Sequence, residues 1–281
     1  MDSRPPAESS VPIASALPAP RIMGRINWIG FRTLVWKEIR RFVKVYMQTV
    51  TAPVVTTLLF YVVFSLAMGS NGTTPRMVGT TPFFNFLAPG LVMMAMAQNA
   101  FANTSSSVMI SKVQGNIVDL LMTPISPVEL AVACVAGGIA RGLVVGLATT
   151  LTLWFFLPIR IADFGAVLLF GTLATMSLAL LGIVGAIWAD KFDHIAAVTN
   201  FIVTPLTFLS GAFYSIERFP DTLKMLAHAN PFFYMIDGFR YGFIGIEETP
   251  LWLGAAVLAG FNAGLWLVTL RMLITGYKLK S

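Results

Sequence analysis

The chain has 281 residues, of which 56% are hydrophobic and 11% charged, and its formal net charge is +6. A soluble domain carries roughly 25% charged residues, so an ordinary water-solvated domain is excluded and the bilayer becomes the natural solvent. One cysteine, Cys134 among Ala, Val and Gly, excludes an intrachain disulfide or a cysteine-rich metal cluster and reads as a small packing residue.

Residues 1–20 are rich in Pro, Ser and Ala and lack the apolar run after a basic start that marks a signal peptide. Residues 1–24 are expected to form a disordered tail. The next segment, 25–46 (RINWIGFRTLVWKEIRRFVKVY), places Trp28, Phe31, Val35, Ile39, Phe42 and Tyr46 at helical spacing. Lys37, Arg40, Arg41 and Lys44 take much of the remaining surface. That pattern predicts a basic amphipathic helix lying in the membrane interface. Such a helix either only orients the first span or also rests against a partner, and the pattern alone specifies no more than interfacial residence.

Crossing a hydrocarbon core of ~30 Å takes about 20 apolar residues. Stretches without Asp, Glu, Lys or Arg run 45–75, 77–111, 142–159, 164–189, 194–216 and 249–270. They predict spans at about 47–68, 84–107, 132–157, 164–188, 195–214 and 250–273, so 47–281 reads as one all-α polytopic membrane domain with six transmembrane helices. Arg141 interrupts the third. Pro53, Pro89 and Pro205 fall inside spans, where neighbouring helices cover the freed carbonyls.

With six spans both termini share a side. That side carries thirteen Lys/Arg (Arg4, Arg21, Arg25, Arg32, Lys37, Arg40, Arg41, Lys44, Lys112, Lys191, Arg271, Lys278 and Lys280), against five opposite (Arg76, Arg160, Arg218, Lys224 and Arg240). The bias places both termini in the cytoplasm of a bacterial inner membrane. Basic residues so distributed suit anionic lipid rather than nucleic acid.

Two loops carry further information. In 108–131, residues 113–122 predict a short helix that stops before Thr123-Pro124. Ile117, Leu120 and Leu121 would cluster on one side, leaving Gln114 and Asp119 more exposed. A short part-apolar helix of this kind either plugs into a groove on another protein or is an interfacial connector facing lipid. The loop opposite, 215–249, is long and apolar, and Pro220 and Asn230-Pro231 divide it into helices at about 220–229 and 232–242. The second is expected to dip into the outer leaflet, and Asp237 and Arg240, three apart, are placed to pair.

Much chemistry is missing. No GxxxxGK[ST], HExxH or GxSxG pattern occurs, so no nucleotide, cofactor or catalytic site is expected. His194 and His228 fall on opposite sides of the membrane in this topology and so share no metal or dyad. Ion-coupled carriers place Asp, Glu or His near the bilayer midplane, whereas the clear intramembrane charge here is Arg141, within Gly137-Gly138-Ile139-Ala140-Arg141-Gly142. A charge at that depth costs ~2.5–3.5 kcal/mol. It is explained by snorkelling, by a carbonyl or carboxylate partner, by a substrate head group or by a gating pair. Without coupling-ion chemistry, energy must arrive from outside the chain.

Several stretches together resemble a known family. They are Trp36-Lys37-Glu38-Ile39-Arg40-Arg41-Phe42, Pro89-Gly90-Leu91-Val92-Met93-Met94, Gln114-Gly115-Asn116-Ile117-Val118-Asp119-Leu120-Leu121, the glycines around Arg141, Thr204-Pro205 through Tyr214-Ser215, and Asn230-Pro231 through Tyr241-Gly242. In this order, from about residue 25 to the C-terminus, the chain resembles the type II ABC exporter permeases and, among them, the small YadH-like permeases. The resemblance implies two copies of the chain joined to two copies of a separate ATP-binding subunit, which binds the ATP. It makes Gln114, Asn116, Asp119, Leu120 and Leu121 coupling-helix candidates, and Glu38, Arg40 and Arg41 candidates for the ATPase-facing side of the interfacial helix. Arg141, Asp237 and Arg240 become pathway or gating candidates. The implied cargo is a drug, lipid or glycan. An ion-coupled carrier and a non-transporting membrane scaffold are the competing readings.

Overall fold

The computed structural model describes residues 27–68, 77–78, 81–157, 160–214 and 220–279. The expected tail at 1–24 lies outside them. Eleven α-helices are found among the described residues, with one two-residue antiparallel pair, Met77↔Pro82 and Val78↔Thr81.

Helix α1 (Trp28–Lys44) starts where the Asn27 side chain accepts the Gly30 N–H, and its last turn carries Arg41 and Lys44 against the exposed carbonyls. A π-helical segment (Met47–Thr51) leads into α2 (Ala52–Met68). Helix α3 (Phe83–Val113) is followed by the short α4 (Ile117–Met122). Helix α5 (Pro127–Trp154) opens with proline in its first turn and a reciprocal cap between Ser126 and Glu129. Helix α6 (Phe164–Trp188) is capped by the Asp163 carboxylate on the Ala166 N–H. Then come α7 (Phe192–Val198), a second π-helical segment (Thr199–Val203) and α8 (Thr204–Leu209). Helices α9 (Asp221–Ala229), α10 (Pro231–Ile244) and α11 (Leu251–Thr275) complete the chain, the last two closed by Gly245 and Gly276 at positive φ.

Both π segments have a shared cause in the sequence. Each lies just before a proline, Pro53 or Pro205, and contains the residue four positions earlier, Thr49 or Phe201. Proline lacks an N–H for that carbonyl and its ring crowds it. A widened turn relieves the clash and keeps the helix continuous.

Five helical stretches are long and apolar enough to cross a membrane: Met47–Ala67, Pro127–Trp154, Phe164–Trp188, Phe192–Leu209 and Leu251–Thr275. Helix α3 is the longest, with 31 residues, but Gln98, Asn99, Asn103, Thr104 and Ser105–Ser107 make it more polar than these five. It is also the hub, packed against α2, α5, α6 and α10. Small residues permit that packing. A Cβ on Gly142 of α5 would come 2.5 Å from the Thr175 side chain of α6, and buried Thr104 of α3 donates to the Ala179 carbonyl of α6 at 2.7 Å. Close backbone approach and hydrogen bonds between helices are what hold a bundle together where lipid removes the hydrophobic driving force. The outer surfaces of α2 and of the second π-helical segment are the reverse: Leu66 is 82% and Phe201 81% exposed. Apolar side chains so presented belong in hydrocarbon.

Candidate functional site

The end of the bundle that carries α1, α4 and the last turn of α11 is tied together by one carboxylate. Glu129 of α5 accepts the Asn27 N–H at 2.7 Å through Oε1 and the Ser126 N–H at 2.7 Å through Oε2. The Asn27 side chain also donates to the Pro124 carbonyl at 3.2 Å. The start of α1 is therefore locked to the α4–α5 connection. Beneath this tie, Ile117 of α4 is buried with Leu34 of α1 and Leu130 of α5. Val118 and Met122 of α4 remain exposed, Met122 by 79%.

The residues expected to meet a partner divide. Gln114 and Asn116 are exposed and joined by an Asn116-to-Gln114 side-chain hydrogen bond of 3.3 Å. Asp119, Leu120 and Leu121 lie in α4, and their side chains are outside the described residues. Arg40 is exposed on α1. Glu38 and Arg41 instead turn inward. Glu38 is 2% exposed, accepts Ser107 Oγ of α3 at 2.7 Å and lies 3.4 Å from Arg41. Arg41 donates to the Asn103 side chain at 3.1 Å and to Ser106 at 3.4 Å. Glycine at 137 makes room for this, since a Cβ there would come 2.6 Å from Glu38 Cβ. A charge pair in the middle of an amphipathic helix was taken from sequence as surface. The buried hydrogen-bonding partners that drew it inward sit about 65 residues later on α3, beyond any local pattern.

Those partners belong to a polar stripe on α3. Asn99, Asn103 and Ser107 follow at intervals of four, with Gln98 and Ser106 beside them, which places them on one face. Arg141, halfway along α5, donates to Asn99 Oδ1 from Nε at 3.3 Å and from a terminal nitrogen at 3.0 Å. Two grooves flank the stripe. One, of about 260 Å³, lies against α2 and includes Gln48, Thr56, Gln98 and Asn99. The other, of about 550 Å³, lies against α7 and α8 and includes Asn99, Ser105, Ser106, Thr199 and Asn200. Each is bordered by one of the π-helical turns, features that recur at functional sites. The stripe holds no charged residue, so the distribution of charge along the sequence does not reveal it. The repeat of Asn and Ser at helical spacing within an apolar helix was the available signal.

At the same end, Lys112 of α3 donates to the Ile187 and Ala189 carbonyls at 2.9 and 2.6 Å, and Lys278 donates to Trp188 O at 3.1 Å. Both lysines lie near Asp190, at 3.5 and 2.9 Å. Two cations thus close the C-terminus of α6, where its unpaired carbonyls concentrate partial negative charge. Hydrogen bonding from Lys278 holds the Asp190 carboxyl below the usual carboxylate range.

At the opposite end, the expected direct pairing of Asp237 with Arg240 is replaced by a larger arrangement. Asp237 accepts the Glu248 and Thr249 N–H groups at 3.0 Å each and the Thr249 hydroxyl at 2.6 Å. Arg240 donates to the Gly211 carbonyl at 2.6 Å, stacks 3.7 Å above the Phe86 ring and lies 3.9 Å from Glu248. Both side chains are buried, at 2% and 3% exposure. Helix α10 packs against α3, α6 and α11, so its aromatic residues fill protein core where the sequence suggested outer leaflet. The 248–249 turn outcompetes a neighbour on the same helix, because its two backbone N–H groups and the Thr249 hydroxyl present three donors to one carboxylate. A cavity of about 430 Å³ at this end is bounded by Asn85, Pro89, Thr150, Arg160 and Phe243. No cluster of three metal-ligating side chains occurs among the described residues.

Comparison with known proteins agrees with this architecture. The ABC-2 type transporter family model matches residues 30–244. The chain is 37% identical over 259 residues to the inner membrane transport permease YadH of Escherichia coli K12, covering 92% of this chain and all of that protein. It is 24% identical over 243 residues to nodulation protein J of Neorhizobium galegae, covering 84% of this chain and 88% of that one. The chain belongs to the ABC-2 type transporter family and is a multi-pass membrane component of a transport system.

Proposed function

We propose that this ABC-2 family chain is the membrane-spanning subunit of an exporter in a bacterial inner membrane. It works as two copies, driven by two copies of a separate ATP-binding subunit, and moves an amphiphilic drug, lipid or glycan out of the cytoplasm. Both termini are cytoplasmic, and α3 is the sixth span. A 31-residue helix is roughly 46 Å long, ample for a bilayer, and its polar residues are sheltered by α1, α5 and α6 rather than by lipid.

The observation that carries the reading is the tie between Glu129 and Asn27, which makes α1, α4 and the start of α5 one block. Met122 and Val118 stand exposed on that block, and Gln114, Asn116, Asp119, Leu120, Leu121 and Arg40 are the further residues proposed to contact the ATPase. A push on α4 is transmitted to α1 and α5, and through Glu38, Arg41 and Arg141 to the polar stripe of α3. ATP-driven closure of the partner subunits would in this way reshape the grooves beside α2 and α8.

The test is a pair of charge insertions, Val118→Arg and Met122→Arg, on the surface that α4 leaves exposed. Co-purification with the ATP-binding partner subunit, and ATP-dependent export, should each fall about tenfold or more, as expected when an apolar contact is replaced by an unpaired charge. Unchanged values in both assays would remove the coupling role of α4.

A further inference from the structure

The charges beside the α3 stripe do not balance. Arg41 is matched by Glu38 at 3.4 Å. Arg141 bonds only the neutral amide of Asn99, and among the described residues no carboxylate lies within 4.0 Å of it. It stands fifteenth in a 28-residue helix, about 21 Å from the start of α5 and one turn beyond Gly137, which packs on Glu38 of α1. One uncompensated positive charge remains in the middle of the membrane domain, at a cost that a bound anion would offset.

The groove between α2 and α3, which Asn99 lines while it accepts from Arg141, is polarised along its length. Its end at Gln48, Gln98 and Asn99 is polar, and Asn99 is the residue that Arg141 holds. About two to three turns away, Phe60, Leu91 and Met94 make the other end apolar. Helices α2 and α3 run antiparallel here, so both contribute polar residues at one level and apolar residues at the other.

We propose that Arg141 and the groove between α2 and α3 form a binding site for an anionic amphiphile. Its phosphate, sulfate or carboxylate head is received by the Arg141 guanidinium and the amides of Gln98 and Asn99. Its chain lies along Phe60, Leu91 and Met94. The proposal rests on the exporter reading and narrows the cargo to acidic amphiphiles. Neutral ones lack the group that Arg141 requires.

Binding to the full chain, purified in a neutral detergent, is measured with three probes: decyl phosphate, the uncharged 1-decanol and inorganic phosphate. Decyl phosphate should bind at least about tenfold more tightly than 1-decanol, the difference expected of one charge-assisted contact. Arg141→Gln, whose amide still reaches Asn99, should abolish that preference, and Arg32→Gln, which removes one charge from exposed α1, should retain it. Asn99→Asp provides an isosteric second variant that leaves the arginine in place but pairs it internally, and it should also abolish the preference. Equal preference in wild type, R141Q and N99D would overturn the site. Inorganic phosphate competing as well as decyl phosphate would overturn the assignment to an amphiphile. Because no ATPase is present, failure here is distinct from failure of the coupling test on α4.

Discussion

The carboxylate of Glu129 accepts the backbone N–H of Asn27 at 2.7 Å across 102 residues of chain. The same side chain completes the reciprocal cap with Ser126, so one residue starts α5 and fastens α1 to it. The Asn27 and Ser126 N–H groups each satisfy one oxygen of this carboxylate. Glu129→Ala should lower the unfolding free energy by about 1 kcal/mol, the usual worth of a partly exposed cap. It should also reduce ATP-dependent transport more than it reduces binding of the ATPase. Thermal unfolding of the purified chain and transport in vesicles measure the two effects. A variant with lowered stability and full transport would show that the tie is structural only.

Gly142 and Gly264 offer a contrast in the same fold. A Cβ at Gly142 collides with Thr175 and approaches the Met96 carbonyl, whereas nothing lies within 4 Å of one at Gly264. Gly142→Val should cost about 1–3 kcal/mol, because α5 and α6 must separate. Gly264→Ala should be neutral or stabilise by up to about 1 kcal/mol through helix propensity. Denaturation midpoints in detergent discriminate the two outcomes.

Asp237 gathers three hydrogen bonds from the 248–249 turn while buried. Asp237→Asn keeps the shape but turns one acceptor into a donor facing an N–H. The loss should be about 1.5–3 kcal/mol, the range for bonds to a charged group. Thr249→Val, which removes the hydroxyl donor alone, should cost about 1 kcal/mol. If both variants unfold together with wild type, Asp237 does not fasten the connection between α10 and α11.

The Asp190 carboxyl, held low by Lys278, predicts a pH dependence of definite sign. Its contribution is fully present above the ordinary carboxylate range and is lost as pH falls through the depressed folded value. Hydrogen exchange of residues 276–279, corrected for intrinsic rates, should therefore be slowed at neutral pH and lose that protection in acid. In Asp190→Asn the protection should be weaker at neutral pH and almost independent of pH. The opposite sign would mean that the lysines hold the tail through the α6 carbonyls alone.

Much of the architecture was legible from composition and spacing. Helical periodicity across 25–46 gave α1 between Trp28 and Lys44, and Pro220 and Asn230-Pro231 separated α9 from α10 near the expected positions. The third span, expected at about 132–157, starts earlier, at Pro127, because Ser126 and Glu129 form a reciprocal cap there. The site was less legible. The family resemblance puts Glu38 and Arg41 on a partner-facing surface and helical spacing pairs Asp237 with Arg240, but neither says what those side chains meet once the helices pack.

Hydrophobicity, helical period and the scarcity of charge sufficed to determine an all-α membrane protein, since those properties act residue by residue through transfer from water. Only tertiary structure decided where charge is compensated: Glu38 on Ser107 and Arg41, Asp237 on the 248–249 turn, and Arg141 on an amide with no carboxylate beside it. Electrostatic balance in a bilayer is settled within a few ångströms by residues tens of positions apart, and that proximity exists only once α1, α3 and α5 have packed.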